Sequence, residues 1–472
     1  MKPQKNENIV LDIDSLAFGG RGVGRLGNWV VFVEGALPGQ RLSCRITRVK
    51  KQYAEARAEE ILRQSEHYVS PRCSHFGQCG GCSHQHLSYE RQLIEKENQV
   101  REALRRIGNL SVPSIYPVSP SPQIFEYRNK MEFSFSRSQW LPRETWNKQN
   151  KAEAEGLFLG LHARGFYDKV VDIDRCHLMP ALCSDILKTV RRIAQQSGRP
   201  VYSTRDHLGF WRYLVIRHFS GSNELMVNVI TSGYDPRVAQ QLKEGLGSDF
   251  PEISSLVYGT SENRSSVAQT DQEHLLAGKK TLTASLGGRR FEVSSGSFFQ
   301  TNTAGAQELF ELVAKEADLA PGETVYDLYC GAGTFSIYLS GRGAKFIGFE
   351  SVPSAVEDAR RNKALNEADD CQFVPGDLRD TLSNRDSLTE RFGRPDVMII
   401  DPPRAGMQPK TLSAVLQLLP ERIVHISCNP ATLARDLGIL CANDYRLVTV
   451  RPVDMFPHTP HVEVVARLQR CG

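Results

Sequence analysis

Thr324-Val325-Tyr326-Asp327-Leu328-Tyr329-Cys330-Gly331-Ala332-Gly333-Thr334 is an apolar run that ends in two closely spaced glycines. Its first half reads as a buried strand. The glycines allow the chain to turn sharply into a helix and to approach a ligand closely, and helix N–H groups add hydrogen-bond donors there. Outward from this stretch the pattern repeats. Lys345 to Glu350, Gln372 to Val374, Asp396 to Ile400 and Arg422 to Ser427 are further short apolar strands, with helical segments between them. Tyr445 to Val450 and Val462 to Leu468 read as a closing strand pair. This alternation, starting near residue 290, predicts an α/β fold with a Rossmann-like doubly wound sheet.

Upstream the texture differs. Ile9 to Ile13, Trp29 to Val33, Leu42 to Val49 and Ala54 to Leu62 are short strand candidates, and Gly19 to Arg25 reads as a sharp glycine loop. Several short strands in about sixty residues suit a five-stranded oligonucleotide-binding (OB-like) barrel over 6–64. A helix is expected from Leu87 to Ile107, with Leu93, Val100, Leu104 and Ile107 as its apolar face and Gly108 as its stop. Residues 125 to 285 read as mixed α+β, with Phe210 to His218 and Glu224 to Ile230 as neighbouring strands. Pro142 to Glu155 reads as a polar surface loop.

Composition bounds the class. Of 472 residues, 40% are hydrophobic and 24% charged, which fits a globular protein and excludes collagen, coiled coil and disordered tail. No apolar run approaches the roughly 20 residues of a membrane helix, and Met1-Lys2-Pro3-Gln4-Lys5 leads into no signal-peptide core, so a cytoplasmic protein with no membrane partner is expected. The net charge of +4 decides nothing, but six basic residues against Glu55 alone between Arg41 and Arg57 point to nucleic acid as much as to an ordinary solvated face. Eleven cysteines, an odd number, argue for metal or catalytic roles over a disulfide framework.

Five motifs carry chemistry. Glu350, 19 residues after Gly331, can accept hydrogen bonds from ribose hydroxyls at the end of the second strand. Asp401-Pro402-Pro403-Arg404 leaves the fourth strand at the edge where open α/β sheets bind ligands; alone it would be an ordinary strand exit. Ser427-Cys428-Asn429-Pro430 leaves the fifth, where Pro430 can open a helix; Cys428 near that helix start is expected to have a lowered thiol pKa and act as a nucleophile, against the commoner fate of a buried structural cysteine. Glu463 begins an apolar run and is either a turn residue or a general base. Cys73-x5-Cys79-x2-Cys82, with Cys176 distant, can supply four thiolates to a [4Fe-4S] cluster or, with His75, His84 and His177 nearby, ligands to zinc; the lack of two paired Cys-x2-Cys units favours the cluster.

Taken together, Cys73-Ser74-His75-Phe76-Gly77-Gln78-Cys79-Gly80-Gly81-Cys82, Ser297-Phe298-Phe299-Gln300-Thr301-Asn302, Asp327 to Gly331, Asp401 to Arg404, Ser427 to Pro430 and His461-Val462-Glu463 resemble, in order, the motifs of the uracil-C5 RNA methyltransferase family, closest to its 23S-type rRNA branch. The resemblance covers nearly the whole chain. It implies a TRAM-like RNA-binding barrel at 6–64, an iron–sulfur and RNA-binding domain from 65–90 and 125–285, and a methyltransferase domain from 91–124 and 286–472. It implies S-adenosylmethionine as methyl donor, with Cys428 as nucleophile on uracil carbon 6 and Glu463 as the base that removes the carbon-5 proton. Gln300, Tyr329, Thr334, Glu350, Asp377 and Asp401 would line the donor pocket, Thr334 standing where some branches carry Asn. Phe298 or Phe299 would stack on an extruded uracil, Arg128 and Lys130 would touch RNA, and Trp29 and the basic stretch would grip its flank. The expected partner is 23S-type rRNA or a pre-ribosomal intermediate, met by a monomer.

Three alternatives stay open. The same chemistry could act on tRNA. A purine-amine methyltransferase shares the sheet and an Asp-Pro-Pro-like motif but would not need Cys428 or Glu463. A non-catalytic RNA-binding or assembly factor could use the same scaffold.

Overall fold

The computed structural model describes residues 2–111, 115–141, 155–166 and 168–471; the expected loop from Pro142 lies, up to 154, outside them. Strands β1 (Asn8–Leu16), β2 (Gly22–Leu26), β3 (Trp29–Val33), β4 (Arg41–Val49) and β5 (Tyr53–Arg63) close a barrel in the order β1-β2-β3-β5-β4. Alternation drives it: Ile9, Leu11 and Ile13 point inward onto Val31, Val33, Leu42, Cys44 and Ile46, while Val10 stays exposed. The expected glycine loop is corrected in part. Gly19 and Gly20 take the left-handed turn, but Gly22 and Gly24 lie in β2. Both are small because neighbours press close: a Cβ on Gly24 would stand 2.7 Å from the Asp12 carbonyl of β1, and one on Gly22 2.8 Å from the Ala36 Cβ.

Helix α1 (Tyr89–Arg106) follows, and two expectations about it fail. Its fully buried face is largely polar: Gln92, Glu95, Lys96 and Gln99 join Val100 and Leu104, while Ile107 is exposed. Gly108 is not its left-handed stop; Asn109 is, at φ 51°. Gly108 is small because the helix Pro430–Cys441 presses on it, and a Cβ there would stand 2.8 Å from the Ala434 carbonyl.

The central sheet runs β12-β11-β10-β9-β6-β7-β8. Its strands are β6 (Lys130–Ser138), β7 (Glu155–His162), β8 (Val170–Asp172), β9 (Trp211–Phe219), β10 (Glu224–Thr231), β11 (Ile253–Thr260) and β12 (Gln272–Gly278). Helices α2 (Ala181–Gln196) and α3 (Pro236–Asp249) pack into its core. A hairpin, β13 (Leu282–Leu286) and β14 (Arg289–Val293), leads into the last unit.

That unit holds α4 (Thr303–Ala317), β15 (Thr324–Leu328), α5 (Thr334–Leu339), β16 (Lys345–Glu350), α6 (Pro353–Leu365), β17 (Cys371–Pro375), α7 (Leu378–Thr381), α8 (Arg385–Phe392), β18 (Val397–Ile400), α9 (Pro409–Leu418), β19 (Arg422–Ser427), α10 (Pro430–Cys441), β20 (Tyr445–Val453) and β21 (Glu463–Arg470). The order is β17-β16-β15-β18-β19-β21-β20, with only β21 antiparallel to its neighbours. Apolar side chains fill both faces: Val325, Phe346, Ile399 and Val424 on one, Tyr326, Ile347, Met398 and Ile423 on the other. The sheet is therefore doubly wound, as its continuous apolar strands required. Strand order reverses between β15 and β18, and a crevice for ligands opens at the carboxyl ends there. Among the described residues no helix is long and apolar enough to cross a membrane.

Candidate active site

Strand register brings the expected residues to one edge. Leu328 pairs with both Phe349 and Ile400, and Ile400 with His425. Tyr329, Glu350 and Asp401 therefore leave the sheet at one level, with Ser427 and Cys428 just beyond. The β19–β21 ladder ends at the pair Ser427 and Val464. Carried one step further, the antiparallel register sets Cys428 opposite Glu463. Asn429 caps α10 with its side chain and donates to the Arg404 carbonyl at 3.0 Å, and the Thr432 hydroxyl donates to that carbonyl at 3.3 Å. The two strand-exit motifs are thus tied together.

Electrostatics corrects one expectation. The Cys428 thiol is not acidified; burial, then the negative charges of Glu463 and Asp401, push it up to about 11. Arg404 opposes the rise, hydrogen-bonding to the thiol as the neighbouring cation. Glu463, 7% exposed, is pushed up to about 8 by burial and Asp401, again opposed by Arg404. Asp401 is raised by burial to about 6. The arrangement is a half-buried thiol beside a basic carboxylate, with one guanidinium acting on both. The sequence reading singled out the motif containing Arg404 but not the residue's role; a cation placed at the ligand edge was the available signal.

Toward β15 and β16 the edge is acidic and cradle-like. Glu350 accepts from the Gly331 N–H at 3.1 Å and the Val352 N–H at 2.8 Å. Tyr329 adopts φ 63°, a left-handed conformation unusual for an aromatic residue, and its half-buried side chain hydrogen-bonds with Thr411. Gly331, at φ 54°, has nothing within 4 Å of where a Cβ would sit, whereas a Cβ on Gly333 would lie 2.5 Å from the Phe373 ring. The first glycine faces open space and the second allows close packing. Asp327, which the sequence reading passed over as a site residue, is fully buried. One of its carboxylate oxygens accepts from Ser336, the other has no partner, and burial together with Asp401 and Glu350 raises it to about 7. Three adjacent carboxylates with an orphaned oxygen suit a cationic ligand such as a sulfonium. Thr334 opens α5 beside them. Asp377 caps α7, and its carboxylate is pulled down to about 2 by hydrogen bonds from Arg379. Gln300 enters from the loop before α4, its carbonyl accepting from Asn129 at 2.8 Å.

The two aromatic neighbours separate. Phe299 is buried edge-on against Phe219, and Phe298 is 72% exposed. Phe298, Arg128 and Lys130 line a cavity of about 530 Å³ together with Cys73, Cys79, Cys82 and Cys176. Burial raises all four thiols. His75 and His177 also line this cavity; His84 does not, being buried against Gly20. Among the described residues no group of three or more His, Cys, Asp or Glu side chains is arranged to hold a metal ion. On the barrel, Arg21, Arg41, Arg45, Arg57 and Arg63 pair with Asp12, Glu55 or Glu59. Lys2, Lys5, Arg48, Lys50 and Lys51 instead share a shallow cleft with no acidic residue lining it.

Comparison with known proteins agrees with this geometry. Residues 267–471 match the tRNA (uracil-5-)-methyltransferase family model, and residues 4–58 match the TRAM domain. An RNA methyltransferase of Chlorobaculum tepidum, itself uncharacterised, is 41% identical over 93% of this chain and 91% of its own length. One from Porphyromonas gingivalis is 39% identical over 98% and 99%. The crystal structure of Pyrococcus abyssi tRNA (uracil-54, C5)-methyltransferase with S-adenosyl-L-homocysteine is similar at a TM-score of 0.73 and 30% identity, covering 97% of this chain and all of that one.

Proposed function

This chain belongs to the uracil-C5 family of S-adenosylmethionine-dependent RNA methyltransferases, and on that premise we propose that it methylates carbon 5 of a uridine in 23S-type rRNA through a covalent bond between Cys428 and carbon 6. The carrying observation is the register that sets Cys428 opposite Glu463, with Arg404 acting on both.

Cys428 gives its proton to solvent as its sulfur adds to carbon 6, and the Arg404 guanidinium favours the thiolate. The π electrons of the ring move onto the carbon-4 carbonyl as an enolate, which makes carbon 5 nucleophilic. Gln300, Tyr329, Thr334, Glu350, Asp377 and Asp401 would hold S-adenosylmethionine, which would supply an electrophilic methyl group to carbon 5 and leave as the neutral thioether S-adenosylhomocysteine. Once carbon 5 carries both methyl and hydrogen, the Glu463 carboxylate takes the proton. The electron pair left behind re-forms the ring double bond and expels the Cys428 thiolate. A carboxylate raised to about 8 is a stronger base than an ordinary one and is matched to neutral pH. Phe298, exposed, is suited to stacking on the extruded base, while Arg128 and Lys130 sit beside it for phosphate contact.

The four cysteines, under this reading, hold a [4Fe-4S] cluster. Support comes from their convergence on one cavity from two distant stretches of chain. The lack of two paired Cys-x2-Cys units favours the cluster over a zinc ion, which needs all four sulfurs at about 2.3 Å from one metal. A four-iron cluster gives each thiolate its own iron and accepts wider spacing. The barrel and central sheet would hold the flanking RNA, with the cleft of Lys2, Lys5, Arg48, Lys50 and Lys51 as the phosphate-binding strip.

A tRNA substrate is the second reading, favoured by the likeness to the Pyrococcus abyssi tRNA enzyme. The four-cysteine motif and barrel favour rRNA through the resemblance of the whole chain. Methyl transfer from labelled donor to unmodified large-subunit rRNA and, separately, to unmodified tRNA decides between them. 5-Methyluridine in rRNA alone is expected; 5-methyluridine in tRNA alone overturns the branch and keeps the chemistry.

A further inference from the structure

The polar buried face of α1 touches two distant parts of the chain at once. The Gln92 side chain, 1% exposed, donates to the carbonyls of His84 at 3.0 Å and Leu87 at 2.8 Å, in the segment that follows Cys82. The same amide accepts from the His458 N–H at 2.9 Å and lies 3.2 Å from His458 Nδ1. Ser83 and His84 donate their backbone N–H groups to the His458 carbonyl at 2.8 and 3.0 Å. One turn along α1, buried Lys96 donates to Asp454 at 2.6 Å and to the Phe456 carbonyl at 3.1 Å. His458 itself is held at φ 65°, its ring tilted against Phe125 with centroids 4.4 Å apart.

Asp454 to Val462 is the turn that joins β20 to β21, and Glu463 is the first residue after it. Glu463 has a ladder partner on β20, Val453, but on the β19 side the ladder stops at Ser427 and Val464. The turn therefore completes the fixing of the base. Cys428 is held by a different scaffold, the Asn429 and Thr432 bonds to the Arg404 carbonyl.

We propose that Gln92 and His458 form a latch by which the Cys82–Leu87 segment positions the Glu463 carboxylate, so that loosening the latch stalls the reaction after methyl transfer and before release of Cys428. The inference rests on the assignment of Glu463 as base. Gln92 and His458 are positioning residues; neither meets the RNA or the donor in this account. A displacement of about 1 Å in a reacting group costs up to about a hundredfold in rate. Because nucleophile and base are held separately, the loss falls on the proton-removal step alone.

The test uses the full chain with Gln92→Met, which removes the amide at similar volume, and His458→Asn, which keeps a residue tolerant of positive φ. Each is incubated with methyl-labelled donor and unmodified RNA. Released product, the fraction of protein trapped as methyl-labelled covalent adduct on a denaturing gel, and donor affinity are all measured. The expected result is a 10- to 100-fold loss of turnover, retained donor binding, and an adduct fraction several-fold above that of the unaltered protein. Adduct and product falling together, no change in either, or loss of donor binding in both variants would overturn the latch. Glu463→Gln run alongside separates the two layers. If it turns over fully without adduct, the base assignment fails and the latch with it. If it traps adduct while the latch variants behave normally, only the latch fails.

Discussion

Replacing Arg404 by Met removes a cation that acts on both Cys428 and Glu463. The scaffold survives, because Asn429 and Thr432 bind the Arg404 carbonyl and not its side chain. At pH 7.5 a thiol raised to about 11 is ionised in about one molecule in 3,000. Losing a hydrogen bond to a charged group costs roughly 1.5–3 kcal/mol, so the thiolate becomes about 10- to 150-fold rarer. The rate of covalent adduct formation, read in a single turnover with excess enzyme, should fall by that factor at pH 7.5, and in both proteins should climb about tenfold per pH unit toward pH 10 because each thiol still titrates above that range. Arg404→Lys should fall in between, keeping the charge but not the planar fork. Unchanged adduct formation in Arg404→Met, or a rate in that variant that does not climb with pH, would refute the assignment of Arg404 to thiolate stabilisation.

Three further outcomes are expected. Donor affinity should fall as pH is lowered from about 8 to 5, because Asp327 near 7 and Asp401 near 6 gain protons and cease to attract a sulfonium; calorimetry of S-adenosylmethionine binding checks this, and a flat profile counts against the acidic cradle. Arg48→Ala, Lys50→Ala and Lys51→Ala combined should make the slope of log affinity for RNA against log salt shallower by about 2, at about 0.7 per lost phosphate contact on a single strand; an unchanged slope places the RNA elsewhere. Gly333→Ala should destabilise by about 1–3 kcal/mol and abolish donor binding, since its Cβ would meet the Phe373 ring at 2.5 Å from a backbone at φ 76°; thermal melts with and without donor read both effects.

The sheet was legible because its strands are buried on both faces and read as continuous apolar runs, while the barrel was legible through alternation, as in Ile9, Leu11 and Ile13. Glycines were the weakest guide. Gly22, Gly24 and Gly108 are small because other backbone lies against them, which is a tertiary fact with no local signal. The buried face of α1 was misread for a related reason: Gln92, Glu95 and Lys96 look solvated until their partners at His458, Leu16 and Asp454 arrive from far along the chain. The ligand edge was legible because motifs at strand ends converge by register. The charge state of Cys428 was not, since proximity to a helix start predicts a lowered pKa while burial beside Glu463 and Asp401 raises it.

The most direct test of the account is peptide mapping of the adduct formed by the Glu463→Gln protein with unmodified RNA and S-adenosylmethionine. After nuclease and protease digestion, mass spectrometry should find a methylated uridine attached to the peptide that contains Cys428, and Cys428→Ala in the same background should give no adduct. An adduct on another residue, or methylated uridine released at the normal rate by the Cys428→Ala protein, would contradict the covalent mechanism.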